Sequence, residues 1–218
     1  MMKKRFAVCL ILFSGLLLHA QEWNKFGMDN IVEVSVPGPV DSIDYNGQTI
    51  YTAIAPEGTI TITGSLKGEI PAAMPTYEDL PKIYAGLIDG ITKQGNGKLI
   101  DSTSIRRGKL TGKHFRFDIN PNGQHRIVDC QAFVVHGRIY GFQFIQLKVI
   151  YNENAPSRDR FFQSITFNPS LTESDQYRDL REEKQMNAFN FGYLAGKISA
   201  VLGTIALIVV LIVRAVRR

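Results

Sequence analysis

Apolar residues recur along this chain with period two, then at a three-and-four spacing, then with period two again, and near its end they become continuous. Ile31, Val32, Val34 and Val36 predict a first short strand, stopped by Pro37-Gly38-Pro39. Gln48 to Ala55, a Pro56-Glu57-Gly58 turn and Thr59 to Gly64 predict a hairpin. In its second arm Ile60 and Ile62 alternate with Thr59, Thr61 and Thr63, giving one apolar face and one threonine ladder. Leu80, Ile83, Tyr84, Leu87, Ile88 and Ile91 then line one face of a predicted helix, with Lys82, Asp89 and Lys93 opposite. Thr76 and Asp79 form a capping pair, Pro81 fits a first turn, and Gly95 supplies the stop. Such a helix lies flat on a sheet.

Four strands are predicted next: Lys98 to Ile105, Gly112 to Ile119, Arg126 to His136 and Arg138 to Leu147. The breaks at Arg107-Gly108-Lys109, Asn120-Pro121-Asn122-Gly123 and His136-Gly137-Arg138 are short, so neighbours run antiparallel. The last two strands lack clean alternation. In the first of these, Val128, Cys130, Ala132 and Val134 face one way and Ile127, Phe133 and Val135 the other, as in a sheet covered on both sides. Ser157 to Ser164 predicts a short helix carrying Phe161 and Phe162, followed by Ile165-Thr166-Phe167. Asn168 to Asn190 is polar and charged. Thr172 to Lys184 reads either as a helical stalk or as a flexible tether.

Ile198 to Val213 has no charge in sixteen residues. Extended back through Phe191, Gly192, Tyr193, Leu194, Ala195 and Gly196, it is interrupted only by Lys197, whose long side chain can reach the headgroups. A span of roughly 20 apolar residues crosses a hydrocarbon core of about 30 Å, so 191–213 is predicted as a transmembrane helix. A buried helix of a soluble protein would normally show a polar stripe. At the other end, Lys3, Lys4 and Arg5 precede an apolar run from Phe6 to Leu18 and a small-residue cleavage site at Leu18-His19-Ala20, a secretory signal with an uncleaved anchor as the alternative.

The net charge of +5 changes meaning once it is divided by location. Of 25 basic residues, three are Lys3, Lys4 and Arg5 and three are Arg214, Arg217 and Arg218, leaving 19 against 20 acidic residues in the exported part. The basicity is therefore a topology signal, with positive residues kept on the cytoplasmic side. Cys9 lies in the signal, so Cys130 is alone and forms no intramolecular disulfide; in an apolar strand it reads as a small buried hydrophobe. Asn168-Pro169-Ser170 carries the proline that forbids glycosylation, which suits a bacterial envelope protein.

An early hairpin, a long amphipathic helix, an antiparallel meander and the closing Arg160-Phe161-Phe162-Gln163-Ser164-Ile165-Thr166-Phe167 together resemble the PsbP-like fold over about Phe26 to Phe167. The resemblance implies an antiparallel sheet sandwiched between helices, as in photosystem II extrinsic proteins, a Ran-binding import factor and small bacterial envelope lipoproteins. It further implies a non-enzymatic module that binds or assembles partners. A transmembrane tail departs from the soluble or lipid-anchored members.

Candidate chemistry is sparse. Asp118-Ile119-Asn120-Pro121-Asn122-Gly123, with Asp129, matches the opening of a calcium loop, but it joins strands and Arg126 would put a cation at a ligand position; a hairpin turn is the better reading. His114, His125 and His136 are the mature histidines, and their scatter predicts surface residues. Lys93 to Arg126 holds eight basic residues, with Arg106, Arg107, Lys109 and Lys113 as a candidate patch for anionic lipid or an acidic partner, against the alternative of a solvated hairpin. Gly192, Gly196, Ala200 and Thr204 fall four apart and give the predicted membrane helix a small-residue face for self-association or docking. No nucleophile elbow, phosphate loop or paired-cysteine metal site is present, and no catalytic, cofactor or metal residue is assigned.

The sequence thus predicts an α+β fold: an antiparallel β-sheet sandwiched by helices (α/β/α, PsbP-like) plus one C-terminal transmembrane helix. Its parts are a signal peptide (1–20), an extracytoplasmic domain (21–168), a juxtamembrane stalk (169–190), the transmembrane helix (191–213) and a basic cytoplasmic tail (214–218). The expected function is that of a single-pass, membrane-anchored binding or assembly protein of the bacterial inner membrane, without catalysis, cofactor or nucleic-acid partner. Its expected partners are the lipid bilayer and a protein, or a second copy, met through the membrane helix. The alternative is an envelope hydrolase whose catalytic groups converge only in space.

Overall fold

The computed structural model describes residues 23–45, 48–55, 60–67, 76–177, 189–190, 192–193 and 195–197. Among the described residues, ten strands form two antiparallel sheets. A seven-stranded sheet has the order β3-β4-β5-β9-β8-β7-β6, built from β3 (Val40–Tyr45), β4 (Gln48–Ile54), β5 (Ile60–Lys67), β6 (Gly97–Arg107), β7 (Leu110–Ile119), β8 (Arg126–Val135) and β9 (Arg138–Leu147). A three-stranded sheet joins β1 (Trp23–Gly27), β2 (Val32–Pro37) and β10 (Thr166–Phe167) in the order β1-β2-β10. The helices α1 (Asp79–Gln94) and α2 (Ala155–Gln163) pack on these sheets.

The mixed α+β architecture with antiparallel sheets agrees with the sequence reading, and the covering of the large sheet differs from it. All ten residues of β8 are buried, because it lies in the middle of the meander and both its faces are packed. Val128, Cys130, Ala132 and Val134 meet Ile83, Tyr84, Leu87 and Ile91 of α1. On the other face, Phe133 and Val135 meet Val32, Val34 and Val36 of β2 together with Phe161 and Phe162 of α2. The second cover is thus a small sheet plus a short helix, where helices alone were expected. β1 and β3 escaped the sequence reading because neither has a clean apolar period: WNKFG is mostly exposed and VDSIDY carries two aspartates.

Local chemistry sets the boundaries of these elements. Thr76 donates from its backbone N–H (3.1 Å) and its hydroxyl (2.8 Å) to Asp79 Oδ2 and accepts from Asp79 N at 3.0 Å, so the expected pair closes the turn before α1, while Glu78, the N-cap residue, makes no side-chain capping bond. Gly95 ends the helix with its N–H on Ile91 O, while the left-handed residue is Asn96 at φ 47°. His136 (φ 48°) and Gly137 (φ 70°) make the tight β8–β9 turn with both central residues at positive φ, as a two-residue hairpin requires. The closing motif is explained residue by residue. Phe161 and Phe162 fill the core, and Ser164 Oγ accepts from Ser35 N at 2.8 Å to tie α2 to β2. Phe167 pairs with Val32 and packs its ring edge-on against Phe133, Tyr140 and Phe142.

The body also runs further than Asn168. Leu171 is buried in the β2 core, and Tyr177 packs against the α1 core on the other side of the sheet. Between them Gln176 is fully buried. Pairing of β7 with β8 ends at Gly112↔Phe133, and Gln176 occupies the next rung. Its Oε1 accepts from Thr111 N (2.7 Å), and its Nε2 donates to Thr111 O (2.8 Å) and Val134 O (3.0 Å). Residues 169–177 are therefore a strap on the body, and Thr172 opens only a 3₁₀ turn, Glu173–Asp175. Gln176→Ala should cost about 2–4 kcal/mol, since three hydrogen bonds go and buried backbone groups lose their partner; chemical denaturation measures it.

The predicted signal peptide, the Pro56-Glu57-Gly58 turn, residues 178–188 of the stalk, most of the transmembrane helix and the basic tail lie outside the described residues. Among the described residues no helix is long and apolar enough to cross a membrane.

Candidate functional site

Two glycine pairs bring the C-terminal segment onto α1. The described residues of 189–197 are helical, and Gly192, Ala195 and Gly196 are buried. A Cβ on Gly192 would strike the Ile83 carbonyl, and one on Gly196 would strike Leu87 O and lie 3.0 Å from Gly90 Cα. Conversely, a Cβ on Gly86 would sit 2.7 Å from Tyr193 N, and one on Gly90 2.9 Å from Gly196 Cα. Each helix therefore presents two glycines four residues apart to the other, and the backbones touch. Contacts advance together, from Ile83 with Gly192 to Gly90 with Gly196 and Lys197, so the helices run in the same direction. Lys93 Nζ and Lys197 Nζ each lie 5.5 Å from the centre of the Tyr193 ring. Of the small-residue face read from sequence, Gly192 and Gly196 are thus used within the chain, whereas Ala200 and Thr204 lie outside the described residues.

The four residues of the candidate basic patch do not share one surface. Arg106 pairs with Glu173 at 2.8 Å. Arg107 turns to the α2 side, where its guanidinium donates to Phe162 O at 2.7 Å and to Gln131 Oε1 at 3.4 Å. Lys109 occupies the β6–β7 turn, and Lys113 sits opposite Ala132, a residue of the α1-facing row. Arg107 is a structural fastener for the end of α2.

The strongest electrostatic cluster was missed as such. Asp129, 1% exposed, lies in the middle of β8 directly opposite Arg116 on β7. Arg116 Nε donates to Asp129 Oδ1 at 2.8 Å and its other end reaches Asp101 at 3.1 Å, while His114 Nε2 stands 3.4 Å from the same Asp129 oxygen. The Tyr151 ring is flanked by both guanidinium groups, Arg158 at 4.3 Å and Arg116 at 5.1 Å. Burial alone would raise the Asp129 carboxyl, but the hydrogen bonds from His114 and Arg116 and the nearby positive charge outweigh it and hold the group below its ordinary value. The available signal was an aspartate inside a strand apolar on both faces.

This arrangement also settles the calcium-loop motif as a turn. Asp118 is taken by His125 Nδ1 at 2.9 Å and Lys148 Nζ at 2.7 Å, Pro121–Gly123 is a 3₁₀ turn, and Asp129 points into its own cluster. His136 pairs with Asp175 at 2.9 Å. The three histidines lie apart, each beside a different aspartate, and among the described residues no group of three or more His, Cys, Asp or Glu is placed to hold a metal ion. Cys130 is buried, and burial together with the Asp129 charge pushes its thiol well above its ordinary value. Maleimide should leave Cys130 unmodified in the folded protein and label it once denatured; mass spectrometry reads the difference.

No protein-family model matches the sequence, and no curated protein matches it. Among solved structures, the chain is similar to cyanobacterial PsbP from Synechocystis sp. PCC 6803, with TM-score 0.48 and 10% identity over 69% of this chain and 95% of that one. It is similar to LpqN of Mycobacterium tuberculosis, described as involved in cell envelope biogenesis, with TM-score 0.43 and 13% identity over 69% and 92%. PA94 of Pseudomonas aeruginosa, a protein of unknown function, gives TM-score 0.46 and 9% identity over 68% and 99%. Each of these is a likeness of fold alone, at 13% identity or less.

Proposed function

We propose that the protein is a membrane-anchored extracytoplasmic binding or assembly module without catalytic activity, exported by its N-terminal signal and held in the bacterial inner membrane by its C-terminal apolar stretch. The observation that carries this reading is the seating of 189–197 on α1 immediately before sixteen uncharged residues and three arginines. A chain that leaves its body through a fixed, backbone-to-backbone contact and continues into such sequence has the organisation of a domain held at a bilayer surface. The arginines behind it fit a cytoplasmic end. A non-catalytic role is supported by the way these charges are spent: Asp129 and Arg116 pair with each other, Arg107 donates to Phe162 O, and Asp118 is held by Lys148 and His125.

The test is fractionation of the full chain and of a chain ending after Tyr177. The full chain should stay with membranes through alkaline carbonate, and the truncated one should appear folded in the soluble periplasmic fraction. A full chain extracted by carbonate would overturn the anchoring.

A further inference from the structure

We infer that one end of the domain, formed by the C-terminus of α1, the start of β6 and the turn after β9, rests on the phospholipid headgroups. The inference deepens the anchoring reading and depends on it. Its first support is length. With 189–197 seated on α1, the uncharged stretch beyond Lys197 has sixteen residues, about 24 Å as a helix against a hydrocarbon core of about 30 Å. The deficit of about one turn is made up, without thinning the bilayer, when the last seated turn, beside Gly90, enters the interface. That brings the end of α1 to the level of the lipid.

Direction is the second support. The seated segment runs the same way as α1, and α1 points to the end of the sheet where β6 and β8 begin and β7 and β9 end: Gly97 pairs with Ile119, Ile119 with Arg126, and Arg126 with Leu147. Three of the five large exposed apolar side chains among the described residues are at this end, namely Leu99 at 37%, Ile100 at 49% and Val149 at 84%. At the opposite end, Tyr77 stacks edge-on with Tyr177. Lys93 and Lys197 flank Tyr193 here, and Lys98 is exposed beside Leu99. The acidic groups of this end are Asp89, bound to Lys93, Asp101, bound to Arg116, Asp118, bound to Lys148 and His125, and Glu153. Aromatic and ammonium groups ringing short apolar side chains suit the headgroup layer, where rings and amines meet phosphate and the apolar groups reach acyl chains.

The experiment places nitroxide labels at Leu99→Cys, Val149→Cys and Lys109→Cys, one at a time, in the full chain with Cys9→Ser, reconstituted in phosphatidylcholine–phosphatidylglycerol nanodiscs. All three positions are on the surface, and buried Cys130 stays unlabelled. Labels at 99 and 149 should collide with oxygen several-fold more often, relative to a water-soluble nickel complex, than the label at 109 in the far turn. Equal, water-like accessibility at all three with the protein still in the disc would overturn the inference and leave the anchoring intact. Protein that elutes free of discs would overturn both.

Discussion

Asp129→Ala should be the most destabilising single substitution in the body, costing about 3–5 kcal/mol because it leaves Arg116 with a half-buried charge and His114 without its acceptor. In thermal unfolding this corresponds to a Tm lower by on the order of 10 °C for a domain of this size. Asp129→Asn keeps the shape and one acceptor, so it should cost less and serves as the diagnostic variant. Because the folded carboxyl is held below its ordinary value of 3.8, its contribution is complete above that value and disappears as pH falls through the lower folded one. The stability gap between wild type and Asp129→Asn should therefore be wide at neutral pH and close below about pH 3.8. A gap that persists unchanged into acid would mean that the carboxylate charge stabilises nothing and that the cluster is held by shape.

Gly90→Ala should separate two effects that act in opposite directions. Within α1 the change removes a flexible residue and favours the helix by about 1 kcal/mol. Against the C-terminal segment it places a methyl group 2.8 Å from Lys197 N and 2.9 Å from Gly196 Cα, backbone atoms that have no side-chain freedom with which to yield. The body should keep or gain stability while 189–197 lifts off. Overpacking of this kind costs about 1–3 kcal/mol, so amide exchange in 189–197 should accelerate roughly tenfold or more. Gly196→Leu should do the same from the other side. Unchanged protection of 189–197 in both variants would remove the seam from the account.

The amphipathic helix and the meander were legible because each element there obeys one period: Leu80 to Ile91 recur every three or four residues, and Phe115 and Phe117 alternate with His114 and Arg116. What escaped was held by polar chemistry with no period. Gln176 is one glutamine in a hydrophilic stretch, and only the interrupted β7–β8 ladder explains why it is fully buried. Arg107 was read as part of an anionic-partner patch because charge runs look alike in sequence, whereas its place in the register aims it at the carbonyl of Phe162. Half of the glycine seam was visible as Gly192 and Gly196. The other half, Gly86 and Gly90, was also present: two glycines four apart inside an otherwise strong helix cost about 1 kcal/mol each, and only a close neighbour compensates for that.

The central claim is that the body is outside the cytoplasm and the arginine tail inside it, joined through the apolar stretch that follows the seam. Spheroplasts expressing the full chain with a fluorescent reporter behind Arg218, one that matures only in the cytoplasm, test it when treated with an external protease. The account predicts a fluorescent cell whose body is digested from outside while the reporter stays intact. A dark reporter with a protected body would contradict it.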